Sequence, residues 1–462
     1  MKLNGTGWRI SLVAWLAALL LTPTHASDLS LPRPLLDADY HPVDQARAEL
    51  GQLLFYDRIL SGNQNIACST CHHPDHATSD GLSLPVGEGG EGLGPTRTVG
   101  SGHAMIEQRV PRNSQSLFNI GAREYTRMFF DGRVALDHED PTGFNTPAEE
   151  DLPAGLGNVV AAQAMFPVTS HIEMAGTFGE NVVANAANRA HEYVWPVIAE
   201  RIRTVPAYVE RFRNAFDDVE HATDITMVHV ANALADFQIF EWRADDSPFD
   251  RYLRGDNSAL SPNERAGMQL FYGEAECANC HAGILQTDHE FHAIAMPQLG
   301  WVRTRQFDFV ARDQGRINES DRAEDRYRFR TPSLRNVAFT APYGHSGAYP
   351  TLTTVIRHHL DPVRSLASYT PEDVVLPAHP VQSALDSIVM ENARVRAAIS
   401  RSNELAPMSL SEQEIDNLVA FLGALTDTGS LRGRLGIPSE VPSGLPVDHS
   451  RLAAGSLPPA SP

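Results

Sequence analysis

The chain has 462 residues, 42% of them hydrophobic and 20% charged, which suits a globular protein of two or three domains. Its formal charge of −20 at pH 7 argues against nucleic acid, because phosphate backbones select basic faces. A basic or neutral protein partner suits it better.

Residues 1–26 read as a secretory signal peptide. Lys2 and Arg9 form a basic start, Ser11 to Leu21 an apolar run, and Thr24-His25-Ala26 a small-residue cleavage site. The apolar run is short of the roughly 20 residues that a membrane span needs. An uncleaved anchor is the alternative. The expected mature chain is soluble in the periplasm, with no later membrane span.

Four cysteines in an exported protein ordinarily suggest disulfides. Here they fall in two identical frames, Cys68-Ser69-Thr70-Cys71-His72 and Cys277-Ala278-Asn279-Cys280-His281. C-x-x-C-H is the attachment frame of c-type haem: each thiol adds across a vinyl group, and the adjacent histidine reaches the iron. Two such frames that use every cysteine predict two covalently bound haem c groups. Zinc is the weaker reading, since paired C-x-x-C motifs usually close one small module.

Related segments precede the two frames, Gly51-Gln52-Leu53-Leu54-Phe55-Tyr56 and Gly267-Met268-Gln269-Leu270-Phe271-Tyr272. The second opens on Ser261, Pro262 and Glu264, a capping box with proline at the first helical position. This points to an internal duplication. The predicted fold is mainly α, two cytochrome c-like haem domains with long loops, over 27–240 and 241–428. Gly81 to Gly102 is a Gly-rich loop beside the first haem. Residues 184–243 read as mostly helical. A last helix begins at Ser411, with Glu414 closing a capping box. The tail, 429–462, is Pro/Ser-rich and expected to wrap the surface or be disordered.

In chain order, Arg112-Asn113-Ser114, Phe130-Asp131-Gly132-Arg133, Pro167 to Met174, Ser247 to Tyr252 and Arg330 to His345 resemble the bacterial di-haem cytochrome c peroxidase/MauG superfamily. The resemblance covers nearly the whole mature length. The Gly-rich segment Gly81 to Gly102 looks most like the MauG-like branch that includes the methanobactin-associated di-haem enzyme. The family resemblance implies one iron open to hydrogen peroxide and a second, six-coordinate iron that stores or relays an oxidising equivalent.

The resemblance places the second iron's sixth ligand fourteen residues after His345, on His359. The family's peroxidases have Met there and MauG has Tyr. Leu352, Val355, Ile356 and His359 also share one helical face, and His/His ligation favours ferric iron relative to His/Met. A core histidine, or His358 as ligand, are the other readings. At the first haem Gln163, Pro167 and Glu173 match the family's distal positions, with Glu173 as proton shuttle. A salt-bridged surface carboxylate is the alternative for Glu173. No capping histidine is evident in Gly81 to Gly102, and the context of His103 does not match one. A calcium ion between the haems would be held by Asn113, Thr340 and Pro342, and His345 would bond a haem propionate. Phe130 replaces the family's inter-haem Trp, and Ala275 replaces a surface Trp of MauG. Trp195, Trp242 and Trp301 are the remaining candidates for an exit path.

Three functions follow. The first is peroxide-driven formation of high-valent iron that oxidises a partner protein, as in MauG, with tryptophan modification as the model. The second is peroxide reduction with electrons from a small cytochrome c or copper protein. The third is electron transfer without catalysis, which requires two six-coordinate haems.

Overall fold

The computed structural model describes residues 29–452, apart from 303, 305–307 and 373, together with residues 1 and 456–457. The expected signal peptide lies outside the described residues. Among the described residues no helix is long and apolar enough to cross a membrane.

The chain is built mainly of helices joined by long loops, with two small antiparallel sheets. Local capping explains where the principal helices begin. Asp44 accepts the Arg47 N–H at 2.9 Å and starts the helix Gln45–Tyr56. Ser261 and Glu264 cap each other's backbone at the start of Pro262–Phe271. Ser411 and Glu414 do the same for Glu412–Gly423.

Two helix pairs form the frame, and the same glycine sets each crossing. Gln45–Tyr56 packs on Met227–Glu241 at Gly51, where an added Cβ would stand 1.9 Å from the Ala233 carbonyl oxygen and 2.8 Å from Phe237 Cβ. Pro262–Phe271 packs on Glu412–Gly423 at Gly267, where an added Cβ would stand 1.9 Å from the Asn417 carbonyl oxygen and 2.8 Å from Phe421 Cβ. In both cases only a residue without Cβ allows so close an approach. The duplication legible in the sequence is thus a duplicated helix crossing.

Each pair carries its own core. Leu50, Leu54, Phe55, Phe212 and Phe237 belong to the first, and Phe249, Met268, Phe271, Leu418 and Phe421 to the second. Each such buried side chain contributes roughly 1.5–3 kcal/mol.

The two sheets are joined to each other. Strands Arg127–Met128, Val134–Leu136 and Phe144–Asn145 pair in sequence order, with Arg127 opposite Ala135 and Ala135 opposite Asn145. The turn between the first two carries Phe130. The second sheet pairs Phe291–His292 with Phe329–Arg330, and the Arg330 N–H donates to the Phe130 carbonyl at 2.8 Å. A buried ion cluster fastens the same junction. Arg112 holds Asp131 at 2.5 Å and grips Asp313, 201 residues further along the chain, through two bonds of 2.6 and 2.9 Å. Burial by itself would raise the Asp131 carboxyl, but Arg112 and Arg133 offset this and hold it below the usual range.

The described part of the tail is packed rather than loose. Glu241 accepts the N–H groups of Arg434, Leu435 and Gly436 at 2.8, 2.6 and 2.8 Å. Ser443 donates to buried Asp57 at 2.7 Å. Leu445 and Val447 lie against the first core.

Candidate functional site

Both C-x-x-C-H frames fold into a single helical turn, Cys68–Cys71 and Cys277–Asn279, and in each the histidine N–H closes on the first cysteine's carbonyl, at 3.0 and 2.9 Å. All four cysteines are half-buried free thiols. Burial pushes Cys68 and Cys71 up to about 12 and Cys277 up to about 11, so these three thiols are held protonated at neutral pH.

His72 Nδ1 lies 2.9 Å from the Thr78 carbonyl oxygen, and His281 Nδ1 lies 3.1 Å from that of Gln286. A carbonyl only accepts, so Nδ1 must carry the proton and Nε2 keeps its lone pair. This is the arrangement of a metal-ligating histidine whose outer nitrogen is fixed by a backbone oxygen. His359 follows the same rule, its Nδ1 donating to the Val355 carbonyl one helical turn back at 2.8 Å. Thr351 caps this helix, Leu352–Leu360, and His359 faces His281 across 6.5 Å between ring centroids. That gap accommodates one metal atom with imidazole bonds of roughly 2 Å on either side.

His358, next along the helix, has no free nitrogen. The Tyr349 hydroxyl meets its Nδ1 at 2.8 Å, and its Nε2 donates to the Ile294 carbonyl at 2.7 Å. Its ring is buried and desolvation pushes it down to about 3. The pair His358-His359 therefore divides into a core residue and a ring with a free nitrogen.

His345 is buried, and neither ring nitrogen has a hydrogen-bond partner. Its ring stacks on Phe329 at 3.8 Å and meets Phe130 edge-on at 6.5 Å. Burial lowers it to about 4, so the ring is neutral and has an N–H to donate. An orphaned buried donor calls for an acceptor, and a haem carboxylate supplies one. The two frames, the free Nε2 atoms and this unsatisfied imidazole all fit a pair of haems.

Glu173, close enough to act on Cys71, lies at the end of a run of turns. Gln163 ends in the helix Val159–Ala164, Pro167 opens a tight turn to Thr169, and Glu173 sits in a wide π-type turn, His171–Ala175. Such turns recur at functional sites. Two glycines clamp it. The Gly62 N–H donates to the Met174 carbonyl at 2.7 Å and the Glu88 N–H to that of Glu173 at 3.0 Å. A Cβ at Gly62 would stand 1.9 Å from the Ala175 carbonyl oxygen, and one at Gly87 1.9 Å from that of Ile172. Desolvation raises the Glu173 carboxyl above its ordinary range, with Arg133 and Ser170 pulling the other way. His103 is exposed.

Asn113 donates its side-chain N–H to the Leu82 carbonyl and its backbone N–H to the His345 carbonyl, both at 2.8 Å, which ties it to the end of the segment that runs from Thr340 and Pro342 to His345. Trp195 and Trp242 are core residues, whereas Trp301 is 42% exposed.

Sequence reasoning missed Asp80. It is fully buried beside the first frame, one carboxylate oxygen accepting the Leu82 N–H at 3.0 Å and the other without a partner. Desolvation pushes it up to about 7. Eight residues separate it from His72, and nothing in a single sequence marks a carboxylate as buried.

The family model for di-haem cytochrome c peroxidase matches residues 45–258. The methylamine utilization protein MauG of Paracoccus denitrificans is 30% identical over 412 residues, covering 84% of this chain and 90% of that protein. The cytochrome c551 peroxidase of Pseudomonas aeruginosa is 29% identical over 321 residues, covering 69% of this chain and 72% of that protein. A crystal structure of a MauG-like protein associated with microbial copper homeostasis aligns over 90% of this chain and 97% of that one, with a TM-score of 0.53 at 24% identity. On this likeness in sequence, fold and duplicated frames, the chain belongs to the di-haem cytochrome c peroxidase/MauG family of oxidoreductases.

Proposed function

We propose that the chain is an exported enzyme with two covalently attached c-type haems, one open to hydrogen peroxide and one saturated, that oxidises a periplasmic partner protein. The observation that carries this reading is an asymmetry. His281 faces His359, whereas the first frame is accompanied by the carboxylate turn of Glu173.

In this reading Cys68, Cys71 and His72 hold the first haem, within a domain spanning 27–240. Cys277, Cys280, His281 and His359 hold the second, within 241–428. His345 donates to a haem carboxylate, and Asn113, Thr340 and Pro342 hold a calcium ion. When bound, the first haem supplies the iron redox chemistry. Glu173 would hold the proton that is moved: its carboxylate would accept one from peroxide and return it to the oxygen released as water, the two electrons for O–O cleavage coming from the haem. Its raised affinity for a proton matches it to both halves of that exchange. Gln163 and Pro167 shape the approach. Export through residues 1–26 is supported by their basic start, apolar run and cleavage site.

The second reading, peroxide reduction with electrons from a small redox protein, has the support of the chain's −20 charge, which would steer a basic donor. Adding peroxide to the fully oxidised protein separates the two. A prompt spectral change without prior reduction, followed by oxidation of a co-purified partner, is the expected result. Turnover that begins only after half-reduction favours the second reading.

A further inference from the structure

The tail crosses the outer face of the first frame. Asp448 is the centre of that contact. One carboxylate oxygen receives Arg58 at 2.8 Å, the other receives the Thr70 hydroxyl at 2.8 Å, and its backbone carbonyl accepts from His73 Nε2 at 3.2 Å. Thr70 lies inside the Cys68–Cys71 turn and His73 directly follows His72. Just beyond, the Ser450 hydroxyl and the Arg451 N–H donate to Asp75 at 2.5 and 2.7 Å. The Arg451 guanidinium reaches Thr96 of the Gly-rich loop at 2.9 Å.

The strap's other end is tied to the second half. The Asn336 amide donates to the Ser430 hydroxyl at 2.8 Å, and the Asp427 N–H donates to the Asn336 side chain at 2.8 Å. Asn336 lies in the segment that continues to Thr340 and His345. No comparable strap touches Ala278 or Asn279, the residues between the second pair of cysteines, among the described residues.

We infer that Asp448 is a positioning residue for the first haem. It braces the Cys68–His72 turn from outside, and so sets the orientation of His72 from the opposite end of the chain. The physical basis is the shape of the turn. Cys68 to Cys71 is a single helical turn, too short to be stable by itself, and a ligand histidine depends on outer bonds for its orientation. His72 Nδ1 has the Thr78 carbonyl, and the turn that carries its backbone is held at the Cys71 carbonyl by the Ser114 hydroxyl and, from outside, through Thr70. A charged acceptor shared by a guanidinium and a hydroxyl is a strong, directional brace. The inference rests on reading this frame as a haem site.

The test uses full-length, haem-loaded Asp448→Ala and Asp448→Asn. The readouts are the ferric electron paramagnetic resonance spectrum, the potential of each haem and the rate of reaction with peroxide. Asp448→Ala is expected to shift the first haem's high-spin signal and potential, to leave the second haem's low-spin signal unchanged, and to slow the peroxide reaction by about tenfold. Asp448→Asn still accepts from Thr70 but loses the charge pair with Arg58, and should fall between Ala and the parent. An unchanged first-haem signal in Asp448→Ala overturns the inference. So does an equal disturbance of both haems, which marks a general loss of packing. Should Asp448→Ala not accumulate, Thr70→Val removes one bond of the brace and is judged by the same signals. Absence of haem on the parent's first frame would instead sink the haem reading itself.

Discussion

The two C-x-x-C-H units share a frame and differ in what lies around it. Each has a glycine-set helix crossing, a one-turn attachment segment and a histidine whose Nδ1 is held by a backbone carbonyl. Around the second, a helix delivers His359 opposite His281. Around the first, the chain supplies a clamped π-type turn with a proton-hungry carboxylate. The two units thus share the frame and the helix crossing and differ in the segments packed around them. Among the described residues no imidazole stands opposite His72 as His359 stands opposite His281.

The sharpest way to break this comparison is Glu173→Gln. It keeps the shape and removes the proton carrier, so the peroxide reaction should slow by about 10²–10⁴-fold, with the oxidised spectra of both haems unchanged. The pH dependence carries the same signature. Glu173 must be ionised to accept a proton, and desolvation raises its affinity for one. The parent's rate should therefore fall as pH drops through a value above the ordinary carboxylate range, and the variant should lack that limb. A variant as fast as the parent removes the assignment.

His359→Ala should abolish the low-spin signal of the second haem. His359→Met should keep a low-spin signal at a higher potential. Retention of the parent's signal in His359→Ala would exclude the ligand role.

A smaller effect tests the duplicated crossing. Gly51→Ala and Gly267→Ala each place a methyl where a carbonyl oxygen lies 1.9 Å away, at a cost of roughly 1–3 kcal/mol from overpacking. Chemical denaturation followed at each haem should show Gly51→Ala acting first on one unit and Gly267→Ala on the other. Equal loss at both haems would mean that the halves unfold as one body.

What was legible in the sequence was local. The capping boxes at Ser261 and Ser411 and the helical face ending in His359 each lie within a few residues of chain, and short-range rules apply to them. The separation of His359 from His358 follows from a 100° step around one helix. Long-range partners were not legible. Gly51 reads as an ordinary helical glycine until Ala233 is brought against it. Arg112 and Asp313 are 201 residues apart, and no pattern links them. The tail was expected to wrap the surface or be disordered on its Pro/Ser-rich composition. Its order comes from buried acceptors, Glu241, Asp57 and Asp75, that lie elsewhere in the chain. The π-type turn at Glu173 was missed because its own bonds, to the Ser170 carbonyl and from the His171 ring, are joined by the distant Gly62 and Gly87 packed against its carbonyls.

The most direct measurement is the electron paramagnetic resonance spectrum of the oxidised, haem-loaded protein before any reductant or peroxide is added. The asymmetry of the two units predicts one high-spin and one low-spin ferric haem in equal amounts. Two low-spin haems would contradict it, since both irons would then be closed to peroxide.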